Sequence, residues 1–154
     1  MGHPLSDQQR AEIKESWSSV QKFGLQEAGI VMFKRLFEVS PELQNLFPFA
    51  GDELTDDHAG MKAHSLTVMT SIDACIKILD DVPQLKEELI SLGAVHHIHG
   101  VTSQHFAPVG NSLIETLQAA LQDKFTPEVK AAWVALYGVV QSLMEQGMED
   151  GITA

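Results

Sequence analysis

Apolar residues return every three or four positions along most of this chain, the spacing that gathers them on one face of an α-helix. No strand-like alternation of useful length occurs, and no Asn-Gly or Asp-Gly turn joins two alternating segments. Ser6 with Gln9 has the pattern of a capping box and opens a first helix whose inward face is Ile13, Trp17 and Val20. Gly24 interrupts it, and a second helix turns Ala28, Val31, Phe33, Leu36 and Phe37 inward. Ser40-Pro41 supplies an N-cap and a first-turn proline for a short helix ending near Phe47. PFAGDELTDDHAG, residues 48–60, reads as a polar connection. The longest stripe starts near Asp56 or Asp57 and runs through Met61, His64, Val68, Ile72, Cys75 or Ile76, and Leu79, until Asp80-Asp81-Val82-Pro83 ends it. The next helix puts Leu85, Leu89, Leu92 and His96 on one face and closes at Gly100. Phe106, Val109, Leu113 and Leu117 define another, which Pro108 should kink or delay. Thr126-Pro127-Glu128 starts a last helix with Val129, Ala132, Trp133, Leu136, Tyr137 and Val140 inward and Gly147 as its C-cap. Seven or so helices with no strand partner predict an all-α domain packed helix on helix.

Length adds that one core suffices: 154 residues fit a single domain spanning 1–154, with 1–5 and 148–154 as loose ends. A formal charge of −11 and a pI near 4.9 repel phosphate backbones, which argues against nucleic acid as a partner. The single cysteine, Cys75, excludes an internal disulfide and a cysteine-rich zinc site and suits a reducing, cytoplasmic setting. No apolar run reaches the roughly 18–20 residues of a transmembrane helix. MGHPLS fits the N-myristoylation pattern at Gly2, but a lone acyl chain without a basic patch anchors weakly. With the core faces assigned, no long exposed apolar stripe is left over, and the expected state is a monomer or weak dimer.

The chemistry enters with the histidines. Three of the seven crowd into LGAVHHIHGV: His96, His97 and His99. Of these, His96 shares the inward face of Leu89 and Leu92, His97 is turned about 100° away, and His99 sits near the helix end. On the long stripe His64 has the same inward position, between Met61 and Val68. A lone histidine on an apolar face is ordinarily a core residue that satisfies its ring nitrogens on backbone carbonyls. Two of them on different helices ask for more. Zinc wants four ligands, and no carboxylate or cysteine joins this pair. A haem iron needs only axial donors, because the porphyrin fills four positions. The chain has no C-x-x-C-H, so any haem is held noncovalently. The alternative, a haem-free helical protein with two structural histidines, stays open at this level.

Four segments together resemble the globin family, over almost the whole chain: FKRLFEVSPELQNLF, MKAHSLTVM, LGAVHHIHGV followed by HFAPVG, and FTPEVKAAWVALYGVV. The resemblance implies a globin fold of about seven to eight helices enclosing a b-type haem. His96 matches the proximal ligand and His64 the distal histidine. Phe47 matches the phenylalanine that stacks on the haem, Phe33 the residue overhanging the distal pocket, and Val68 the residue one turn past His64. Leu92, Val101, Phe106, Val109, Tyr137 and Val140 match the pocket walls. Within the family, F-x-R-LF, H-x-x-x-VM-x-x-ID-A, LG-x-x-H, F-x-x-VG-x-SL and AAW-x-x-LYG-x-V resemble neuroglobin-like nerve globins. The chain departs from the vertebrate members in three ways. Its loop between Phe47 and His64 is shorter, and that loop has no cysteine for disulfide gating. Thr67 replaces a lysine near a haem propionate, a role left to Lys62 or His99.

The resemblance implies reversible binding of O2, CO and NO, with His64 on the iron at rest. The competing functions are electron transfer or redox signalling, and nitric oxide dioxygenation or nitrite reduction. Each redox role needs a separate reductant, since the chain is too short to carry a reductase domain.

Overall fold

The computed structural model describes residues 3–153, so the acylation pattern at Gly2 lies outside the described residues. Six α-helices carry the fold: α1 (Asp7–Phe23), α2 (Leu25–Val39), α3 (Ala59–Lys77), α4 (Val82–Ile98), α5 (Phe106–Leu121) and α6 (Pro127–Thr153). A 3₁₀ helix, Pro41–Leu46, is the short element expected after Ser40-Pro41. No strand occurs among the described residues, and no helix there is long and apolar enough to cross a membrane.

Local chemistry explains most boundaries. Ser6 and Gln9 form the expected capping box at α1. Other signals resolve differently. Ser40 makes no side-chain cap bond, and its backbone leads into 3₁₀ rather than α geometry. The long helix begins at Ala59, later than Asp56 or Asp57, because His58 takes the cap by accepting from the Met61 N–H. Pro108 stands third in α5, where backbone N–H groups have no intrahelical acceptor, so it neither kinks nor delays that helix. Val31 is 40% exposed, and Met32 takes the inward place beside Phe33. Leu5 and Met148, assigned above to loose ends, are both buried in the core.

The expected C-cap at Gly147 is overturned: α6 continues past it to Thr153. Gly147 serves a crossing instead. A Cβ there would lie 1.8 Å from the Ile90 carbonyl oxygen, and one on Gly93 would lie 2.0 Å from that of Met144. Two glycines thus let α4 and α6 run backbone against backbone, in the most extensive helix contact of the molecule. That contact fixes the helix bearing His96.

Another part of the core is built on two tryptophans. Trp17 and Trp133 pack with ring centroids 5.7 Å apart. The Trp133 indole N–H donates to Ser16 Oγ at 2.8 Å. Trp17 donates to Asp73 Oδ1, also at 2.8 Å, and Gln21 donates to the same oxygen. Burial alone would raise the Asp73 carboxyl, but hydrogen bonds from Trp17, Lys77 and Gln21 hold it below its ordinary value. A depressed carboxylate contributes stability at neutral pH that is lost as the pH falls below about 4. Asp73→Ala should therefore cost about 2–3 kcal/mol in urea unfolding at pH 7, with the Trp17 N–H left buried and unpaired. The deficit should shrink towards acid. A loss below about 0.5 kcal/mol would show that the bridge is idle.

Candidate functional site

His96 lies in the last turn of α4, four residues after Leu92. Its Nδ1–H donates to the Leu92 carbonyl oxygen at 2.8 Å. In the neutral ring this leaves Nε2 with a lone pair and a fixed direction, the state of a metal-binding imidazole. The backbone beyond it is pinned as well: the His96 carbonyl accepts from the N–H groups of His99 and Val101, both at 3.1 Å.

His64 lies in the second turn of α3. That helix crosses α2 closely at Gly29, where a Cβ would sit 2.8 Å from the Ser65 carbonyl oxygen. The crossing brings Phe33, one turn further along α2, against His64. Three phenylalanine rings meet the imidazole edge to face: Phe47 at 4.8 Å, Phe33 at 5.3 Å and Phe49 at 6.3 Å between centroids. Phe37 adds to the same cluster through Phe33 and Phe47. Burial lowers the His64 pKa, and the charge of His96 lowers it further. Both effects favour the neutral form of the His64 ring.

The remaining residues singled out by sequence are buried or half-buried. Phe33 and Phe106 are buried, while Phe47, Val68, Leu92, Val101, Val109, Tyr137 and Val140 are half-buried and pack against the core. The Tyr137 hydroxyl donates to the Phe106 carbonyl oxygen at 2.6 Å, and its ring lies against Gly110. That bond ties α6 to the first turn of α5, and burial pushes the phenol far up in pKa. Thr67 is exposed, and its hydroxyl donates back to the Ala63 carbonyl oxygen at 3.0 Å. Among the seven histidines, His3 and His105 are accounted for by backbone bonds.

Phe49 was missed. It lies in the stretch read as a polar connection, yet it is only 4% exposed and stacks on Phe47 at 5.4 Å. The signal was present in the repeated aromatic of LFPFAG, an apolar pair inside a polar run.

A bare metal ion has poor prospects here. Among the described residues no three His, Cys, Asp or Glu side chains cluster to hold one. Two imidazoles on separate helices, one of them ringed by phenylalanines, fit a different guest: a flat, apolar one whose metal brings its own equatorial donors.

The globin family model matches residues 30–144. A protein named neuroglobin from Dissostichus mawsoni is 40% identical over 147 residues, covering 93% of this chain and 92% of that one. Neuroglobin from Danio rerio is 38% identical over 148 residues, with the same shares covered. Among solved structures, a hexacoordinated haem protein from an anhydrobiotic tardigrade, crystallised at pH 4, superposes with a TM-score of 0.85 at 23% identity, covering 95% of this chain and 96% of that one.

Proposed function

The chain belongs to the globin family, and from that premise we propose that it holds a noncovalent b-type haem between His96 and His64 and binds gaseous ligands there. The observation that carries the reading is the pair of imidazoles itself. Each is borne by a separate helix, the Nδ1–H of His96 is spent on its own helix, and His64 is ringed by phenylalanines that favour its neutral form. The relatives named neuroglobin and the hexacoordinated haem protein of the same fold support His64 as a second axial donor at rest.

When bound, the haem supplies an iron that takes up O2, CO or NO. His96 keeps Nε2 aimed and basic through its bond to the Leu92 carbonyl. His64 plays two parts in turn. With no gas present its ring would help His96 hold the haem, and an incoming ligand would have to compete with it. With a gas bound, its neutral ring would offer an N–H to a polar diatomic ligand, in a low-dielectric surround where such a bond is strong. Phe33, Phe47 and Val68 keep water from that face, while Leu92, Val101, Phe106, Val109, Tyr137 and Val140 wall the rest. Keeping the iron ferrous needs an outside electron donor, which this reading places in the cytoplasm.

The test is a visible absorption spectrum of the dithionite-reduced protein under argon. Two sharp bands of low-spin iron are expected. One broad band would take His64 off the resting iron and leave an open oxygen carrier. A protein purified and reconstituted without any haem band would overturn the reading.

A further inference from the structure

Resting on the reading just given, we propose that His58 is a positioning residue for His64: it ties the loop over His64 to the start of α3 and so sets how fast His64 leaves the iron. The loop begins as a compact turn. Ala50 N–H donates to the Phe47 carbonyl, and Asp52 N–H to the Phe49 carbonyl, each at 3.1 Å. Gln44 clamps this turn from the 3₁₀ helix, donating to the carbonyls of Phe49 at 3.0 Å and Asp52 at 2.9 Å.

His58 holds the turn from the other side and spends both ring nitrogens doing so. The Met61 backbone N–H can only donate, so Nδ1 accepts from it at 3.1 Å and carries the lone pair. The proton is then on Nε2, which donates to Asp52 Oδ2 at 3.0 Å. One side chain thus caps α3 and reaches back to the loop. Serine, threonine, asparagine and aspartate are the preferred caps, but their short side chains could not extend to Asp52 while capping. The His58 ring also packs on Phe49 at 5.5 Å, and Phe49 with Phe47 forms the wall against His64. Gly60 keeps the junction tight: a Cβ there would lie 3.1 Å from His58 and 3.3 Å from Phe49. His64 packs edge to face on these rings, so the anchors that hold them bear on how readily it moves.

The experiment is laser photolysis of the CO complex of the full-length holoprotein, reading the slow phase that waits on His64. His58→Ser keeps a cap and cuts the tie, and should speed His64 departure about tenfold, the scale of one such anchor. Asp52→Ala leaves the cap in place and should speed it about threefold, on the scale of one net hydrogen bond. In a His64→Leu background, His58→Ser should leave CO rebinding within about twofold, because the two positions act as one unit. Unchanged slow phases in both single variants would overturn the proposal. So would an acceleration that persists without His64, since His58 would then act on ligand entry generally. The wild-type reduced spectrum separates the two layers. A five-coordinate spectrum sinks the bis-histidine reading and this one with it, whereas a six-coordinate spectrum with unmoved rates sinks only the role of His58.

Discussion

His96→Ala is expected to yield a folded protein that has lost its haem. The fold does not lean on this side chain. It is half-buried and makes one hydrogen bond, back to its own helix at Leu92. Leu85, Leu89 and Gly93 seat α4 on the core without it, and the Gly93–Gly147 crossing fixes the helix. Urea unfolding of the haem-free form should therefore move by less than about 1 kcal/mol, the loss of one partly exposed hydrogen bond. The haem has no such redundancy. Losing an outer-shell partner of a metal ligand typically costs about 10- to 100-fold in affinity, and losing the ligand itself should cost more. Transfer of haem to an acceptor apoprotein measures this directly. Added free imidazole should restore the visible spectrum by filling the place the side chain left. Normal retention with an unchanged spectrum would mean that another donor, such as His97 or His99, holds the iron.

What could be read from sequence was set by how local the cause is. The inward faces of α1, α4 and α6 follow from periodicity alone, and Ile13, Trp17, Leu85, Leu89, Trp133 and Leu136 are buried as that spacing requires. His64 and His96 stand out the same way, as polar residues on apolar stripes. The failures share a different cause. Gly147 carries an ordinary helix-ending signal, and only the backbone of α4 passing against it shows why the helix runs on. Val31 and Met32 are neighbours of similar character, and the closeness of α2 to its partners decides which turns inward. Phe49 sits in a run whose average is polar, and its burial depends on a turn clamped by Gln44 and His58 from either side. His58 stands on no apolar stripe, and nothing in LTDDHAG announces that both its nitrogens will be used. Tertiary contacts brought in by residues distant in sequence leave little trace in the local pattern.

His64→Leu should abolish the six-coordinate resting state and raise the apparent CO affinity by at least about tenfold. The reasoning starts from the aromatic surround. Phe33, Phe47 and Phe49 present ring faces and edges that leucine can pack against, so the substitution preserves the apolar wall while deleting the nitrogen donor. What changes is competition. On the proposed reading His64 competes with the ligand for the iron, so the binding-competent fraction would be small and apparent affinity reduced by that fraction. Minor states of proteins are commonly populated at about 0.1–10%, which puts the gain between about 10- and 1,000-fold. CO is the cleaner probe because it gains little from a hydrogen bond. O2 should behave differently: competition is relieved, but the N–H that His64 offers is also lost, so O2 should leave faster than from the wild type. A rise in CO affinity together with faster O2 release is a signature of both roles on one side chain. If CO affinity stays within twofold and the reduced spectrum does not move, His64 is only an apolar-pocket histidine, and the iron site of this globin rests on His96 alone.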